Sequence, residues 1–290
     1  MVDFGELWRQ EAKLRRAPDD ADAWDERARD AVSKYGPSGY SMEFLRLAAL
    51  LPGESVFDMG CGAGALAIPC AERGHDVVAA DFSPAMLERC LAGVPADAPG
   101  TVVGTLLAWD DDWEAAGIAP RSADVAFASR SIATADMEAA IVKLSRVACR
   151  RVCVTVTAGK TPRVSHAFLH DLGLSCRGHQ DASFVFGIAA QLGFRPTVQF
   201  IESVRYDGFA TPEDAVHAYL DMLRFADDAP AGGDLAHMHA QASAWVEAHL
   251  REGPAPQAPD ADAVREVERS HRFHIDVPRT FSWAFLAWDV

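Results

Sequence analysis

Three glycines that follow a short apolar segment are the residues with the clearest chemical meaning in this sequence. In VFDMGCGAGALAIPCA, Gly60, Gly62 and Gly64 come directly after a predicted buried strand and open a helical pattern. Glycine carries no Cβ and adopts positive φ at little cost, so such a loop turns tightly and lets a ligand approach the main chain. The spacing therefore predicts a ligand-binding loop between a strand and a helix.

Two acidic residues accompany this loop, one on each of two successive strands. Asp58 lies just before Gly60, and Asp81 ends HDVVAAD, the next predicted strand. A carboxylate at the end of the second strand of a doubly wound fold can accept hydrogen bonds from the hydroxyls of a ribose. Because Gly60-x-Gly62-x-x-Ala65 also satisfies the dinucleotide fingerprint, these residues by themselves leave a nicotinamide cofactor open.

The elements that must position these residues alternate between strand and helix. Predicted strands lie at VFDM, DVVAAD, TVVGTLLAW, ADVAFASR, RVCVTVTA and RPTVQFIESVRYDGF, and predicted helices separate most of them. One helix spans about 63–73, where Pro69 predicts a kink; another follows Ser83, and a third spans about 136–148. This alternation predicts an α/β fold with a doubly wound, parallel sheet.

Helical patterns stand on both sides of this region. Helices are predicted at about 4–17, at about 22–35, in SMEFLRLAALL, and again at about 212–226, 234–251 and 260–270. The chain closes with TFSWAFLAWDV, whose high β propensity predicts a last strand. The predicted organisation is an N-terminal helical cap at 1–50, a Rossmann-like binding domain at 51–210, a helical insertion at 211–279 and a final strand at 280–290.

The composition argues against several classes of partner. The 290 residues carry a formal net charge of −15, which repels phosphate backbones and anionic lipids. Acidic residues interrupt the apolar ones in the N-terminal MVDFGELWRQEAKLRR, and no run of about 18 apolar residues is present, so neither a secretion signal nor a membrane span is predicted. The six cysteines lie mostly inside apolar runs, as buried thiols of a reducing compartment do. We therefore expect a cytoplasmic protein that binds neither nucleic acid nor membranes.

As a set, DMGCGAG, the Asp81-Phe82 pair and TLLAWDDDW resemble the class I S-adenosylmethionine (SAM)-dependent methyltransferases over roughly residues 40–205. The narrower resemblance is to bacterial small-molecule members related to the ubiquinone-biosynthesis group. This resemblance implies a mostly parallel seven-stranded sheet whose antiparallel last strand lies between the fifth and sixth. It also implies SAM as the cofactor and a small molecule as the methyl acceptor.

The resemblance further implies a set of cofactor-binding residues. Asp81 and Phe82 would contact the ribose and adenine edge, and Trp109 would cover the adenine ring. Asp110 would accept from the adenine amino group. Ser129 and Arg130 would end the fourth strand facing the methyl group. The full implied set is Asp58, Gly60, Cys61, Gly62, Gly64, Asp81, Phe82, Ser83, Met86, Trp109, Asp110, Ser129 and Arg130.

Two histidines are the candidates for a general base. His166 and His170 follow the fifth predicted strand, and an unperturbed imidazole titrates near physiological pH. They are expected to line the acceptor pocket. Their i, i+4 spacing, with Cys176 and His179 nearby, leaves zinc as the alternative if all four converge. No second Cys pair is present, however, and no metal is predicted.

Other side chains have two open interpretations each. Arg130 either binds an acceptor carboxylate or phosphate as a bidentate fork, or forms an ion pair with an aspartate at the sheet edge. Trp24, Tyr35 and Tyr40 are interpreted as core residues, with a lid over the site as the alternative.

At the level of the whole protein, the predicted function is in-line methyl transfer from SAM to a small molecule by a monomer or homodimer. The alternatives are an NAD(P)-dependent oxidoreductase on the same fold and a SAM-binding regulatory protein without turnover.

Overall fold

The computed structural model describes residues 2–14, 22, 24, 25, 28, 38–228, 234–256 and 271–290. The chain divides into two compact units. The first comprises Met1–Val156, Gln180–Ile201 and Trp283–Val290, and the second comprises Thr157–His179 and Glu202–Ser282. The second unit is therefore larger than the insertion expected at 211–279, because it also includes the segment that follows the fifth strand.

The main sheet has seven strands. In chain order they are β1 (Val56–Met59), β2 (Val77–Asp81), β3 (Val102–Leu106), β4 (Ala123–Ser129), β5 (Ala148–Thr157), β6 (Thr197–Arg205) and, after three short strands described below, β10 (Arg279–Asp289). The spatial order is β3-β2-β1-β4-β5-β10-β6. Strands β1 to β5 pair in parallel. This confirms the predicted α/β class and doubly wound sheet.

The last strand, β10, runs antiparallel beside β5. The main-chain amide of Ala158 donates to the carbonyl of Ser282, whereas that of Val290 donates to Arg150. The paired positions therefore move in opposite directions along the two strands, as in an antiparallel ladder. The first residues of β10 consequently lie beside the last residues of β5.

The described residues of the first unit form six helices: α1 (Phe4–Leu14), α2 (Gly39–Ala48), α3 (Ala67–Ala71), α4 (Pro84–Gly93), α5 (Met137–Val147) and α7 (Asp181–Gln191). Helix α4 begins as predicted, because the Ser83 side chain accepts from the Met86 amide and Pro84 occupies the first turn. Helix α5 begins in the same way after Asp136. Helix α2 packs its Phe44 ring edge-to-face on Phe127 of β4 and Phe285 of β10, 5.0 and 5.2 Å away.

The helix predicted at 63–73 is shorter than expected. It spans only Ala67–Ala71, because Gly62 and Gly64 still have positive φ and the chain turns until Leu66. Pro69 therefore lies in the first turn, where amides have no intrahelical partner. The kink predicted at Pro69 has no physical cause at this position.

The second unit has its own core. Its helices are α6 (His166–Asp171), α8 (Pro212–Met222) and α9 (Asp234–His249), with a 3₁₀ turn at Leu223–Phe225. The rings of Phe168, Tyr219 and Trp245 lie within 5.3 Å of one another. Three short strands, β7 (Gly208–Phe209), β8 (Leu250–Glu252) and β9 (Phe273–Ile275), form a second sheet in the order β7-β9-β8 that the sequence pattern did not predict.

Some sequence predictions fall on other parts of the chain. The helix at about 260–270 and most of the one at about 22–35, with Tyr35, lie outside the described residues. None of the helices in the described part of the chain is both long and apolar enough to cross a membrane.

Candidate active site

The loop after β1 has the backbone that its glycines predict. Gly60, Gly62 and Gly64 have φ of +74°, +54° and +87°. A Cβ at Gly60 would lie 2.3 Å from the Cβ of Ser131, and a Cβ at Gly64 would lie 2.8 Å from the sulfur of Cys90. At Gly62 a Cβ would meet no atom of the described residues within 4 Å. The first and third glycines therefore allow close packing, whereas the second faces open space.

Asp81 connects this loop to the next helix. Its Oδ2 accepts from the main-chain amide of Gly62 at 2.8 Å, and its Oδ1 accepts from that of Ser83 at 2.9 Å. The side chain is buried, and burial raises its pKa despite these hydrogen bonds. Phe82, between Asp81 and Ser83, is half-buried. Asp81, at the end of β2, thus stabilises the conformation of the glycine loop through its hydrogen bond with Gly62.

Asp58 is the least satisfied polar side chain near the loop. It is 1% exposed, and among the described residues neither carboxylate oxygen has a hydrogen-bond partner. Burial, followed by the nearby Asp81 carboxylate, raises the pKa of Asp58 to about 7. A buried carboxylate without a partner is costly unless a ligand satisfies it. The pair of acids therefore suits a ligand with a cationic group and hydroxyls.

Cysteine 61 of the loop is a buried, protonated thiol. It is 6% exposed, and its Sγ lies 3.4 Å from the carbonyl oxygen of Gly62. A hydrogen bond with Cys90 and burial both raise its pKa far above the ordinary value. Cys61 can therefore contribute its main-chain groups to the loop, but not a reactive thiolate.

The residues that follow β4 join three strand ends. The Arg130 amide donates to the carbonyl of Thr155 at 3.0 Å, and the Ser131 hydroxyl donates to the carbonyl of Met59 at 2.6 Å. Arg130 itself has φ of +62°, an uncommon backbone conformation for a non-glycine residue. Ser129, Arg130 and Ser131 are thereby held directly beside the loop that follows β1.

A buried hydroxyl network lies beneath Arg130. The Tyr40 hydroxyl is 2.7 Å from Ser129 Oγ and 2.5 Å from Thr155 Oγ1. Burial raises the pKa of this phenol. The Arg130 guanidinium lies 4.5 Å from the centre of the Tyr40 ring and 5.4 Å from that of Trp283. Tyr40 is thus both a core residue, as expected, and the floor of this part of the site.

The alternative interpretation of Arg130, an ion pair with an aspartate, is not found. Within the part of the chain that the structure describes, no carboxylate oxygen lies within 4.0 Å of its guanidinium. Its contacts are to aromatic rings instead.

The N-terminal segment contributes residues that the sequence did not suggest. Asp25 accepts from the Ser83 hydroxyl and, at 3.2 Å, from the Ala85 amide at the start of α4. Ala28 and Trp24 pack with Ala63 of the loop and with Met86. Met86 is therefore buried against this segment, beside the loop. Nothing in the sequence near Asp25 indicates this contact, because it depends on a long-range approach of two segments.

Trp109 and Asp110 lie near Trp113 and Lys143. The Trp109 ring lies 5.5 Å from that of Trp113, and its carbonyl accepts from Lys143 Nζ of α5 at 2.6 Å. Asp110 is exposed and lines a cavity of about 290 Å³ that Lys143 also lines. Their assignment to the adenine stays a prediction.

The two candidate base residues belong to the second unit. His166 is half-buried and its Nε2 has no hydrogen-bond partner among the described residues, while burial lowers its pKa. His170 is exposed and lies 3.5 Å from Asp171. Across the described residues, no three His, Cys, Asp or Glu side chains lie close enough to hold a metal ion. His166 has the more suitable environment for a neutral base.

Sequence comparison decides between the cofactors that this geometry admits. A family model described as "Methyltransferase domain" matches residues 56–150, which span β1, the glycine loop, Asp81 and the end of β4. This region of the chain is a methyltransferase domain. The nicotinamide alternative is set aside, and SAM is the methyl donor of this domain. The narrower relation to the ubiquinone-biosynthesis group stays a prediction.

Relatives of the methyltransferase domain are distant. An uncharacterised protein of Haemophilus influenzae is 30% identical over 190 residues, which are 62% of this chain and 66% of that protein, just under two thirds. A solved structure of a putative methyltransferase from Bacillus halodurans has 11% identity and a TM-score of 0.52, covering 86% of this chain and 97% of that one. At this low identity, the similarity to the Bacillus halodurans structure shows the fold alone. Magnesium protoporphyrin IX methyltransferase from Synechocystis, solved with S-adenosylhomocysteine, has 20% identity and a TM-score of 0.42, covering 68% of this chain and 87% of that one.

The residues around the glycine loop fit SAM. The buried, unsatisfied carboxylate of Asp58 suits an ammonium group, and the space beside Gly62 admits a ligand against the main chain. Asp81 stands at the strand end from which a ribose is bound.

Proposed function

We propose that this protein transfers a methyl group from SAM to a small-molecule acceptor at the carboxyl ends of β1, β2 and β4. The observation that carries the proposal is the pair of buried acids, Asp58 and Asp81, beside a loop of three positive-φ glycines. The net charge of −15 supports a small molecule over a nucleic acid as the acceptor. We also propose that the protein is cytoplasmic and acts as a monomer or homodimer.

In this proposal each part of the cofactor has a protein partner. Asp58 pairs with the ammonium group, Asp81 binds the ribose hydroxyls, and the loop from Gly60 to Gly64 contacts the methionine part through its main chain. Phe82, Ser83 and Met86 form the adenine side with Trp109 and Asp110. Ser129 and Arg130 face the reacting methyl group.

When bound, SAM would supply a methyl group on a positively charged sulfonium, and the leaving group would be the neutral thioether S-adenosylhomocysteine. The protein's own contribution is alignment of the acceptor in line with that methyl group and exclusion of water, which need no universal catalytic residue. An acceptor that starts protonated also needs a base. His166 is the proposed base because burial lowers its pKa and so favours the neutral imidazole, and His170 is the second candidate.

A calorimetric titration of the full chain with S-adenosylhomocysteine tests the cofactor site. Asp81→Ala should weaken binding by about 1–3 kcal/mol, because charge-assisted hydrogen bonds to the ribose are lost. Asp76→Ala is the matched control, since Asp76 is an exposed acid next to the opposite end of β2. Equal affinities of both variants and the wild type would remove Asp81 from the site. NADH binding without S-adenosylhomocysteine binding would reject the proposal.

Turnover is tested separately from binding. The protein is incubated with SAM and a small-molecule fraction of cell extract, and formation of S-adenosylhomocysteine is followed. His166→Gln should lower turnover while leaving the affinity for S-adenosylhomocysteine unchanged. Binding without turnover across many extracts would favour a regulatory protein that only binds SAM.

A further inference from the structure

We propose that Arg130 binds an anionic group of the methyl acceptor, so that the acceptor is a small molecule carrying a carboxylate or a phosphate. The inference rests on the proposed function and narrows its substrate class. Its evidence is the placement of Arg130 at the end of β4, its aromatic surroundings and its backbone conformation.

The guanidinium is held by stacking contacts that leave its hydrogen-bond donors available. Its central carbon lies over the faces of Tyr40 and Trp283, whose ring centres are 5.9 Å apart. Cation–π contact with the faces of these rings does not use the N–H groups, which lie in the guanidinium plane. A planar guanidinium of this kind binds carboxylate or phosphate through two parallel hydrogen bonds.

Both rings are themselves fixed. Tyr40 is buried, and its hydroxyl is anchored to Ser129 and Thr155. Trp283 belongs to β10, an interior strand of the sheet, and is 9% exposed. The support beneath Arg130 is therefore preorganised, as binding residues require.

The backbone at Arg130 is also held in an uncommon conformation. A positive φ at a non-glycine residue is energetically unfavourable, and such positions are often found at ligand-binding sites. The amide of Arg130 is held by the carbonyl of Thr155, and the next residue is held by Met59. The fold thus maintains an unfavourable backbone that directs this side chain across the strand ends.

The charge of Arg130 would offset the negative potential that an anionic acceptor meets at this site. The protein carries a net charge of −15, and the two buried acids of the cofactor loop lie nearby. An anionic acceptor would be repelled unless a local cation compensated. Arg130 is exposed and has no carboxylate partner within 4.0 Å among the described residues, so its charge is not already neutralised by an ion pair.

The order of the strands favours the acceptor over the cofactor as the source of the anion. Asp81 ends β2 and Asp58 lies on β1, so the proposed cofactor site extends across these two strands. Arg130 follows β4, on the far side of β1 from β2, and its side chain contacts Trp283 on β10, still farther along the sheet. With the cofactor placed over β1 and β2 as proposed, the space beside β4 is left for the acceptor.

The test uses the full chain loaded with S-adenosylhomocysteine and titrated with benzoate and phenyl phosphate, which combine an anion with a ring that suits the aromatic surroundings. Arg130→Met should weaken the binding of at least one probe about tenfold or more, and Arg130→Lys should recover part of it. Arg121→Met is the matched control. Arg121 is also exposed and also has positive φ, 55°, but it precedes β4 at the opposite edge of the sheet.

A parallel titration separates the two sources of a carboxylate. S-adenosylhomocysteine has a carboxylate, whereas 5′-methylthioadenosine lacks the amino-acid part. If Arg130→Met weakens only the former, Arg130 serves the cofactor and the acceptor assignment is wrong. Equal probe affinities in the wild type and Arg130→Met, or no probe binding by the wild type, also overturn it. Failure of the wild type to bind S-adenosylhomocysteine would instead reject the proposed function on which the inference rests.

Discussion

Among single residues, two loop glycines should respond differently to the same substitution. Gly60→Ala places a Cβ 2.3 Å from Ser131, whose hydroxyl is bonded to Met59, so it should lower the free energy of unfolding by about 1–3 kcal/mol. Gly62→Ala meets no atom within 4 Å and should cost only about 1 kcal/mol for its positive φ. The Cβ of Gly62→Ala lies in the space proposed for the ligand, however, so the affinity for S-adenosylhomocysteine should fall. Gly62→Val should lower this affinity further.

Denaturant unfolding and calorimetry measure these two effects. Gly53→Ala is the control, because Gly53 also has positive φ and open surroundings but precedes β1, away from the loop. It should cost as much stability as Gly62→Ala and leave binding unchanged. If Gly62→Val folds and binds S-adenosylhomocysteine like the wild type, the ligand does not lie against this loop.

Asp58 predicts a specific pH dependence of stability. Folding raises its pKa from the ordinary 3.8 to about 7, so the folded state binds this proton more tightly than the unfolded state. Its stabilising contribution is complete below about pH 4 and is lost as the pH rises through about 7. Asp58→Asn cannot titrate. The difference in unfolding free energy, wild type minus Asp58→Asn, should therefore fall by a few kcal/mol across this range.

The same titration should act on cofactor binding with the opposite sign. Ionised Asp58 is the form that pairs with an ammonium group, so the affinity for S-adenosylhomocysteine should rise as the pH passes through about 7. Asp58→Asn should bind more weakly and show a flatter profile. Parallel affinity profiles of the two proteins would show that Asp58 does not contact the cofactor.

At the scale of secondary-structure elements, β10 should carry much of the stability of the sheet. Phe285 is fully buried and contacts Phe44, so Phe285→Ala should lower the free energy of unfolding by about 3–5 kcal/mol. Phe200→Ala is the matched control, because this phenylalanine is 58% exposed on the edge strand β6. It should change stability by less than about 0.5 kcal/mol. Similar losses in both variants would contradict the interior position of β10.

The elements that the sequence did not resolve are the shortest ones: β7 lies at the end of the predicted strand RPTVQFIESVRYDGF, β8 overlaps the helix predicted at about 234–251, and β9 was not predicted. Strands β7, β8 and β9 have two or three residues each and exist only through pairing between distant segments. A period of two cannot be recognised in so few residues. Likewise, the pattern at 63–73 does not reveal that the glycine loop delays α3 until Ala67.

For the whole molecule, the sheet should not survive loss of its last strand. Deleting residues 280–290 removes an interior strand between β5 and β6 and exposes the apolar surface that it covers. The truncated chain should show no cooperative thermal transition and no binding of S-adenosylhomocysteine. Removing only Val290, which is 38% exposed, is the control and should leave both nearly unchanged. A truncated monomer that keeps its melting temperature would require another topology.

The sequence by itself determined the α/β class, the glycine loop and the position of Asp81, because these depend on local periodicity and on the conformational freedom of glycine. Only the tertiary structure decided that Asp58 is buried with no hydrogen-bond partner among the described residues, that Asp25 contacts Ser83, and that Arg130 lies over Tyr40 and Trp283. Those contacts join segments far apart in the chain. The physical reason is that burial, pKa and charge pairing depend on which strands, distant in the sequence, lie side by side in the sheet. No local sequence pattern specifies this arrangement.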